Sequence, residues 1–237
     1  MKKISEKLSS VDWDIVAEEM NAKGYAIIPD MISHDQCDQL IQNYFRSDQY
    51  RKTISMERYR FGSGEYKYFK YPLPSLIQNI REEVYSHLSP IANGWMKMLA
   101  MDSRFPGEFT ELQRHCHEKN QVHPTVLILK YGKGGHNTLH QDLYGEVFFP
   151  MQAVLFLNEA GADYNVGEFV LVQQNPRAQS TAIVLRPRKG SMLIFTTSFR
   201  PAKGSKGYYR VNVKHGVSEL HSGHRHTLGI IFHDALS

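Results

Sequence analysis

Between residues 125 and 233 the chain breaks into eight short runs rich in apolar, β-branched and aromatic residues: 125–131, 137–141, 149–157, 168–173, 180–185, 191–195, 209–215 and 225–233. Turn residues punctuate them, among them the glycine-rich stretch 132–135, Gly161 with Asp163, Asn175-Pro176, and Lys189-Gly190. Glycine, proline and asparagine at those places let the chain reverse, so the pattern predicts a series of short strands. Eight strands at this spacing suggest a sandwich or a barrel.

The N-terminal half reads differently. Val11, Ile15, Val16 and Met20 are spaced for one face of a helix over about 10–22, with Gly24 placed to end it, and 25–28 reads as a short buried strand. Ser33 and Gln36 form a capping-box pattern that opens a second helix to about residue 45, with Cys37, Leu40 and Ile41 inward. Ser75 is placed to cap a helix carrying Leu76, Ile77, Ile80, Val84 and Leu88, and Pro90 to start another with Ile91, Trp95, Met98 and Leu99 on one face. These helices are expected to cover one sheet. His115, Cys116, His117 and His123 lack the paired spacing of a zinc site, and the polar run from Glu118 to Gln121 reads as a loop.

From Arg51 to Tyr71, six cations interleave with six aromatics around Gly62 and Gly64. Cations and aromatic faces together suit a single-stranded nucleic acid, and on that reading Arg58, Arg60, Tyr66 and Tyr68 are substrate contacts on a lid that bends at its glycines. The other reading is a twisted edge hairpin whose aromatics pack and whose charges are solvated.

A length of 237 residues suits one domain, with 1–124 as helical and hairpin support and 125–237 as the β core. No apolar run approaches a membrane span, the first residues lack the apolar core of a signal peptide, and two cysteines give no disulfide framework. The expected location is therefore the cytoplasm. A net charge of +4 permits an anionic partner without requiring one.

Within the β region, His140 and Asp142 are two apart, so in an extended segment both side chains lie on one face and can grip one ion. Composition alone yields about 0.5 such pairs in a chain of this length, so the pair needs a third ligand to mean anything. His215, His221, His224, His226 and His233 are the candidates. His215 is preferred because Arg225 follows ten residues on, past a turn expected at Ser222-Gly223, so that a hairpin would place both on one wall. Two imidazoles and a carboxylate on one face of an ion, with the other positions open, are the ligand set of non-heme Fe(II) oxygenases. Arg225 offers a planar fork for a carboxylate, which points to a keto-acid cosubstrate.

These residues resemble the 2-oxoglutarate/Fe(II)-dependent dioxygenase superfamily over a region from about residue 126 to the C-terminus. More narrowly, the stretches 139–146, 210–218 and 228–235 are similar to a bacterial AlkB-like branch described as oxygenases of damaged nucleic acid. The resemblance implies a double-stranded β-helix, or jelly roll, with N-terminal helices. It further implies Fe(II) on His140, Asp142 and His215, 2-oxoglutarate held by Arg225 with Tyr131 as helper, and O2 as co-oxidant. The substrate it implies is alkylated DNA or RNA; a peptide or small molecule is the alternative, and a non-catalytic binding module the third possibility. Leu129, Thr227 and Ile231 stand where AlkB-like proteins ordinarily carry Asn, Asn and Arg, so nucleobase demethylation is not simply inherited.

Overall fold

The computed structural model describes residues 4–237. Helices α1 (Ile4–Ser9) and α2 (Trp13–Lys23) precede β1 (Tyr25–Ile28), and α3 (His34–Asn43) precedes β2 (Tyr50–Ser55), α4 (Met56–Tyr59), β3 (Gly62–Ser63) and β4 (Glu65–Phe69). Two helices follow, α5 (Ser75–Met98) and α6 (Phe109–Glu118). The remaining strands are β5 (Leu127–Tyr131), β6 (His136–His140), β7 (Met151–Phe156), β8 (Tyr164–Val166), β9 (Phe169–Gln174) and β10 (Thr181–Leu185), then β11 (Met192–Thr196), β12 (Phe199–Gly204), β13 (Gly207–Val217), β14 (Leu220–Gly223) and β15 (Arg225–Ile231).

A major antiparallel sheet runs in the order β1-β11-β7-β15-β5-β4-β2, and a second runs β10-β9-β13-β6-β3 with β12 against β13. Burial explains the two textures seen in the sequence. β7 and β11 are buried at every position, because the helices cover one face of the major sheet and the second sheet covers the other. β9 alternates, with Phe169, Leu171 and Gln173 turned inward. Val154, Phe156, Leu193 and Phe195 from one sheet meet Phe169, Leu171, Val211 and Val213 from the other, giving the jelly-roll core implied by the motifs.

Several boundaries differ from expectation. Helix α2 begins at Trp13, where the Asp12 carboxylate accepts from the backbone N–H groups of Asp14 and Ile15, and this leaves Ile15 on the exposed side. Gly24 caps its end at φ +80°, and the Ser33–Gln36 capping box closes reciprocally. The two helices expected around Pro90 are one, α5. Leu88 and Ser89 before the proline and Ala92, Trp95 and Met96 after it are buried, so both halves stay pinned despite the missing backbone hydrogen bond. Helix α6 takes in His115, Cys116 and His117, with Phe109, Leu112 and Cys116 as its buried stripe. No metal-binding group forms there among the described residues. Both cysteines are free and buried, and burial pushes each thiol up to about 11.

The segment after β2 is the main departure. It is no free lid: β2 and β4 extend the edge of the major sheet, while β3 crosses to pair with β6 in the other sheet. Gly62 and Gly64 serve close approach rather than bending. A Cβ on Gly62 would meet the His136 carbonyl oxygen at 2.2 Å, and one on Gly64 would meet the Tyr131 ring at 2.9 Å.

Candidate functional site

β6 and β13 are antiparallel neighbours, and His140 lies directly opposite His215 in their register. Cross-strand partners share a face, so both imidazoles point between the sheets, with ring centroids 4.2 Å apart. Asp142 follows β6 by two residues and returns its carboxylate between them, with Oδ1 3.6 Å from His140 Nε2 and Oδ2 3.3 Å from His215 Nε2. Ligand atoms from the three residues all lie within 4.8 Å of one another. Of the five histidines open at the sequence level, His215 is the one that joins the pair.

The surroundings prepare these atoms to hold a cation. His140 Nδ1 lies 2.7 Å from the Thr138 carbonyl, which makes Nδ1 the donor and leaves Nε2 as the ring atom turned to Asp142. Burial and the charge of His140 push His215 below the usual histidine range, against the pull of Asp142, so it too favours the neutral form that binds metal. Burial works to raise the Asp142 pKa, but the hydrogen bond to His215, the two imidazoles beside it and the Tyr144 hydroxyl together hold it well below the carboxylate range. Tyr144 donates to Oδ1 at 2.7 Å and Gln152 Nε2 to Oδ2 at 3.0 Å. Neither was singled out from the sequence. A signal existed for Gln152, the one polar residue in the otherwise apolar run of β7.

A cavity of about 240 Å3 opens from this cluster. Tyr131 and Arg225 line it as direct cross-strand partners of β5 and β15, with the guanidinium 5.6 Å from the Tyr131 ring. Alternation then turns Thr227, Gly229 and Ile231 toward the cavity, while His226, Leu228 and Ile230 face the helices. The hairpin expected to bring His215 and Arg225 onto one wall does not form. Ser222 and Gly223 belong to β14, which pairs with β8, so the two residues face the cavity from different sheets.

Arg225 is 1% exposed, and no carboxylate pairs with it among the described residues; its Nε and the Tyr131 hydroxyl are buried without hydrogen-bond partners. A buried charge and a buried hydroxyl left unpaired are each costly, which is the mark of a place that a ligand completes. Burial also pushes the Tyr131 pKa to about 12, so its hydroxyl stays a donor. A dicarboxylate with one end at Arg225 and Tyr131 fits this donor set, and the His-Asp-His cluster fits Fe(II).

The residues expected to contact substrate separate. Tyr66 lines the cavity beside Phe61. Arg58 and Arg60 are exposed, with the Arg58 guanidinium over Tyr59, whose ring stacks at 5.6 Å on Phe61. Tyr68 is buried beneath Arg51, and its hydroxyl donates to the Tyr144 hydroxyl at 3.4 Å, so it supports the site from behind.

Comparison with known proteins bears on the family and the fold. Residues 64–235 match a family model described as "Oxygenase, catalysing oxidative methylation of damaged DNA". Two uncharacterised proteins from two strains of Mycobacterium tuberculosis are each 41% identical over 167 residues, 70% of this chain and 72% of theirs. Among solved structures, a Pseudomonas putida prolyl-4-hydroxylase aligns with a TM-score of 0.55 at 14% identity, over 92% of this chain and 96% of that one. A 2OG-Fe(II) oxygenase family oxidoreductase from Burkholderia pseudomallei gives 0.54 at 12% identity, over 95% and 94%. The chain belongs to the oxygenase family of that model, and its fold is the one seen in the solved prolyl-4-hydroxylase and 2OG-Fe(II) oxygenase.

Proposed function

We propose that the protein removes methyl groups from alkylated nucleic-acid bases by oxidation, as a repair activity in the cytoplasm. The observation that carries the chemistry is one cavity holding both the His140-Asp142-His215 cluster and the unpaired pair Arg225 and Tyr131. When bound, Fe(II) with 2-oxoglutarate and O2 supplies the oxidation: one oxygen atom goes to the substrate carbon and the other to succinate, with CO2 released. A hydroxylated N-methyl group leaves as formaldehyde, so oxidation at that carbon demethylates the base.

The chain's own residues bind, orient and exclude water. His140, Asp142 and His215 hold the metal, with Tyr144 and Gln152 fixing both carboxylate oxygens of Asp142. Arg225 takes the far carboxylate of the cosubstrate as a fork, and Tyr131 donates beside it. Leu127, Val154, Phe195 and Ile231 line the cavity and keep water out. Tyr66 and Phe61 offer ring faces to a base unstacked from its strand, and Arg58 and Arg60 offer charge to its phosphates.

A second reading is hydroxylation of a peptide or small metabolite. It is favoured by Leu129, Thr227 and Ile231, which line the cavity without the amide and guanidinium groups that AlkB-like proteins place at those positions. One experiment separates the two. Iron-loaded protein is offered methylated oligonucleotides, peptides and small metabolites with 2-oxoglutarate, and succinate and formaldehyde are measured. Equal amounts of both, with the methylated oligonucleotide alone and lost in Asp142→Ala, are expected. Succinate coupled to a peptide or metabolite instead would overturn the nucleic-acid reading.

A further inference from the structure

Charge along this chain is unevenly placed. From Phe169 to Ser218 there are fifty residues without one Asp or Glu, and they carry nine Lys and Arg. The whole chain is +4, so taking away these nine cations leaves −5 on the rest. Chain order is no guide to position in space, but here the fold collects the segment. It supplies β9, β10, β12 and β13, which lie together in the second sheet, and only β11 leaves for the other.

Within that sheet Lys203, Arg210 and Lys214 fall on the outward side, while Arg200, opposite Val211, lies on the other face and donates to Gln173. Val211, Val213 and His215 of β13 are buried, and the intervening Arg210, Asn212 and Lys214 are exposed. Successive outward side chains on one strand are about 7 Å apart, so Arg210 and Lys214 mark a stripe about 13 Å long. The β12–β13 hairpin extends it, with Lys203 directly opposite Tyr208 and Lys206 in the turn. Tyr208 is 47% exposed, an uncovered ring among cations. Of the nine, Arg186 and Lys189 pair with Glu168 and Asp38; Lys203, Lys206, Arg210 and Lys214 have no carboxylate partner among the described residues. The stripe sits on the strand that carries His215: β13 starts in the hairpin and runs to the His215–His140 pairing, with Lys214 just before it.

A row of cations with no carboxylate paired to it is unfavourable for the protein alone, because its charges repel one another. A polyanion that can lie along a strand relieves it, and exposed aromatics between the charges add faces on which bases stack. We propose that the outer face of the β12–β13 hairpin and of β13 binds the backbone of a single-stranded nucleic acid, holding the strand that delivers its base to the cavity. The delivery rests on the nucleic-acid reading above; the binding face itself does not.

The test is binding of a fluorescent, unmodified thymidine 20-mer to the iron-loaded protein across a salt series, for wild type and for Lys203→Ala/Lys206→Ala/Lys214→Gln. These side chains are exposed and hold nothing else, so the variant is expected to fold and to bind 2-oxoglutarate as wild type does. Its affinity at low salt falls at least tenfold, and its log–log salt slope flattens by about 2, near 0.7 for each phosphate of a single strand that is no longer neutralised. Wild type that fails to bind at low salt, or a variant with unchanged affinity and slope, overturns the proposal. So does tighter binding to phosphatidylserine vesicles than to the oligonucleotide, which would make the face a membrane surface. A methylated trinucleotide, too short to reach the hairpin, serves as second arm. If it is demethylated equally by both proteins while the KM for a methylated 20-mer rises only in the variant, both readings stand. If the 20-mer is bound but no nucleic acid is ever oxidised, the function falls and the binding face remains.

Discussion

A buried guanidinium with no anion beside it should weaken a protein, and Arg225 is in that position until a ligand arrives. Replacing it by an apolar side chain of similar bulk removes the burden, since a lone buried charge is less favourable than good packing. Arg225→Met is therefore expected to raise the unfolding temperature of ligand-free protein and to abolish the further rise that 2-oxoglutarate gives the wild type. Arg225→Lys keeps the charge but loses the fork, and should raise the half-saturating 2-oxoglutarate concentration at least tenfold with iron loading unchanged. A wild-type thermal response in Arg225→Met would place the carboxylate elsewhere. A second residue-scale outcome concerns pH. Burial pushes His226 and His233 down to about 4 in the folded chain, against about 6.5 when unfolded. Above 6.5 both states hold them neutral and stability is full. As pH falls from 6.5 to 4 only the unfolded chain takes up these protons, so stability falls, by up to about 3 kcal/mol for each histidine. The urea midpoint at pH 5 should lie well below that at pH 7, and equal midpoints would contradict the burial of both rings. His226 also shows what alternation reveals in advance: it lies beside Arg225 yet faces away, bonded to Asn158.

At the scale of elements, the crossing segment 56–63 is what closes the cavity edge, since β3 joins the strand that leads to His140. Gly62→Ala puts a methyl group against the His136 carbonyl and keeps a φ of +135° that alanine resists. Loss of roughly 1 to 3 kcal/mol in urea unfolding is expected, along with a looser Phe61 wall read as weaker substrate binding. Unchanged stability would mean that β3 is not anchored as described. The elements also divide by legibility. The eight runs correspond to eight strands of the structure, because doubly buried strands such as β7 read as continuous apolar stretches and β9 as an alternating one. β8, β12 and β14 were not legible: β8 and β14 are three and four residues long and depend on each other for pairing, and β12 contains Pro201. The hairpin at Arg51 to Tyr71 showed its composition but not its path, since a crossing between two sheets leaves no period behind it.

Over the whole molecule, one hydrophobic cluster runs from Leu8 and Met20 of the N-terminal helices through Leu155 and Ile194 to Phe232. Arg81 of α5 adds a polar tie, donating to the Ile231 and Phe232 carbonyls and to Asp234, three residues past β15. We propose on this basis that 1–237 is one domain, and a single cooperative urea transition, coincident by fluorescence and circular dichroism, is expected. Two transitions would separate the helical support from the jelly roll. The candidate chemistry was legible in the chain: ligand types, a two-residue spacing and a forked cation are properties of residues, readable wherever the fold places them. The strand-rich core was legible too, through turn chemistry and apolar runs. Folding was needed to select which of five histidines completes the cluster, to set Arg225 and His215 on different sheets around one cavity, and to bring Gln152 and Tyr144 onto Asp142. The reason is physical: contacts of this kind depend on register between strands far apart in the chain, and register is set by how two sheets pack, not by any local pattern.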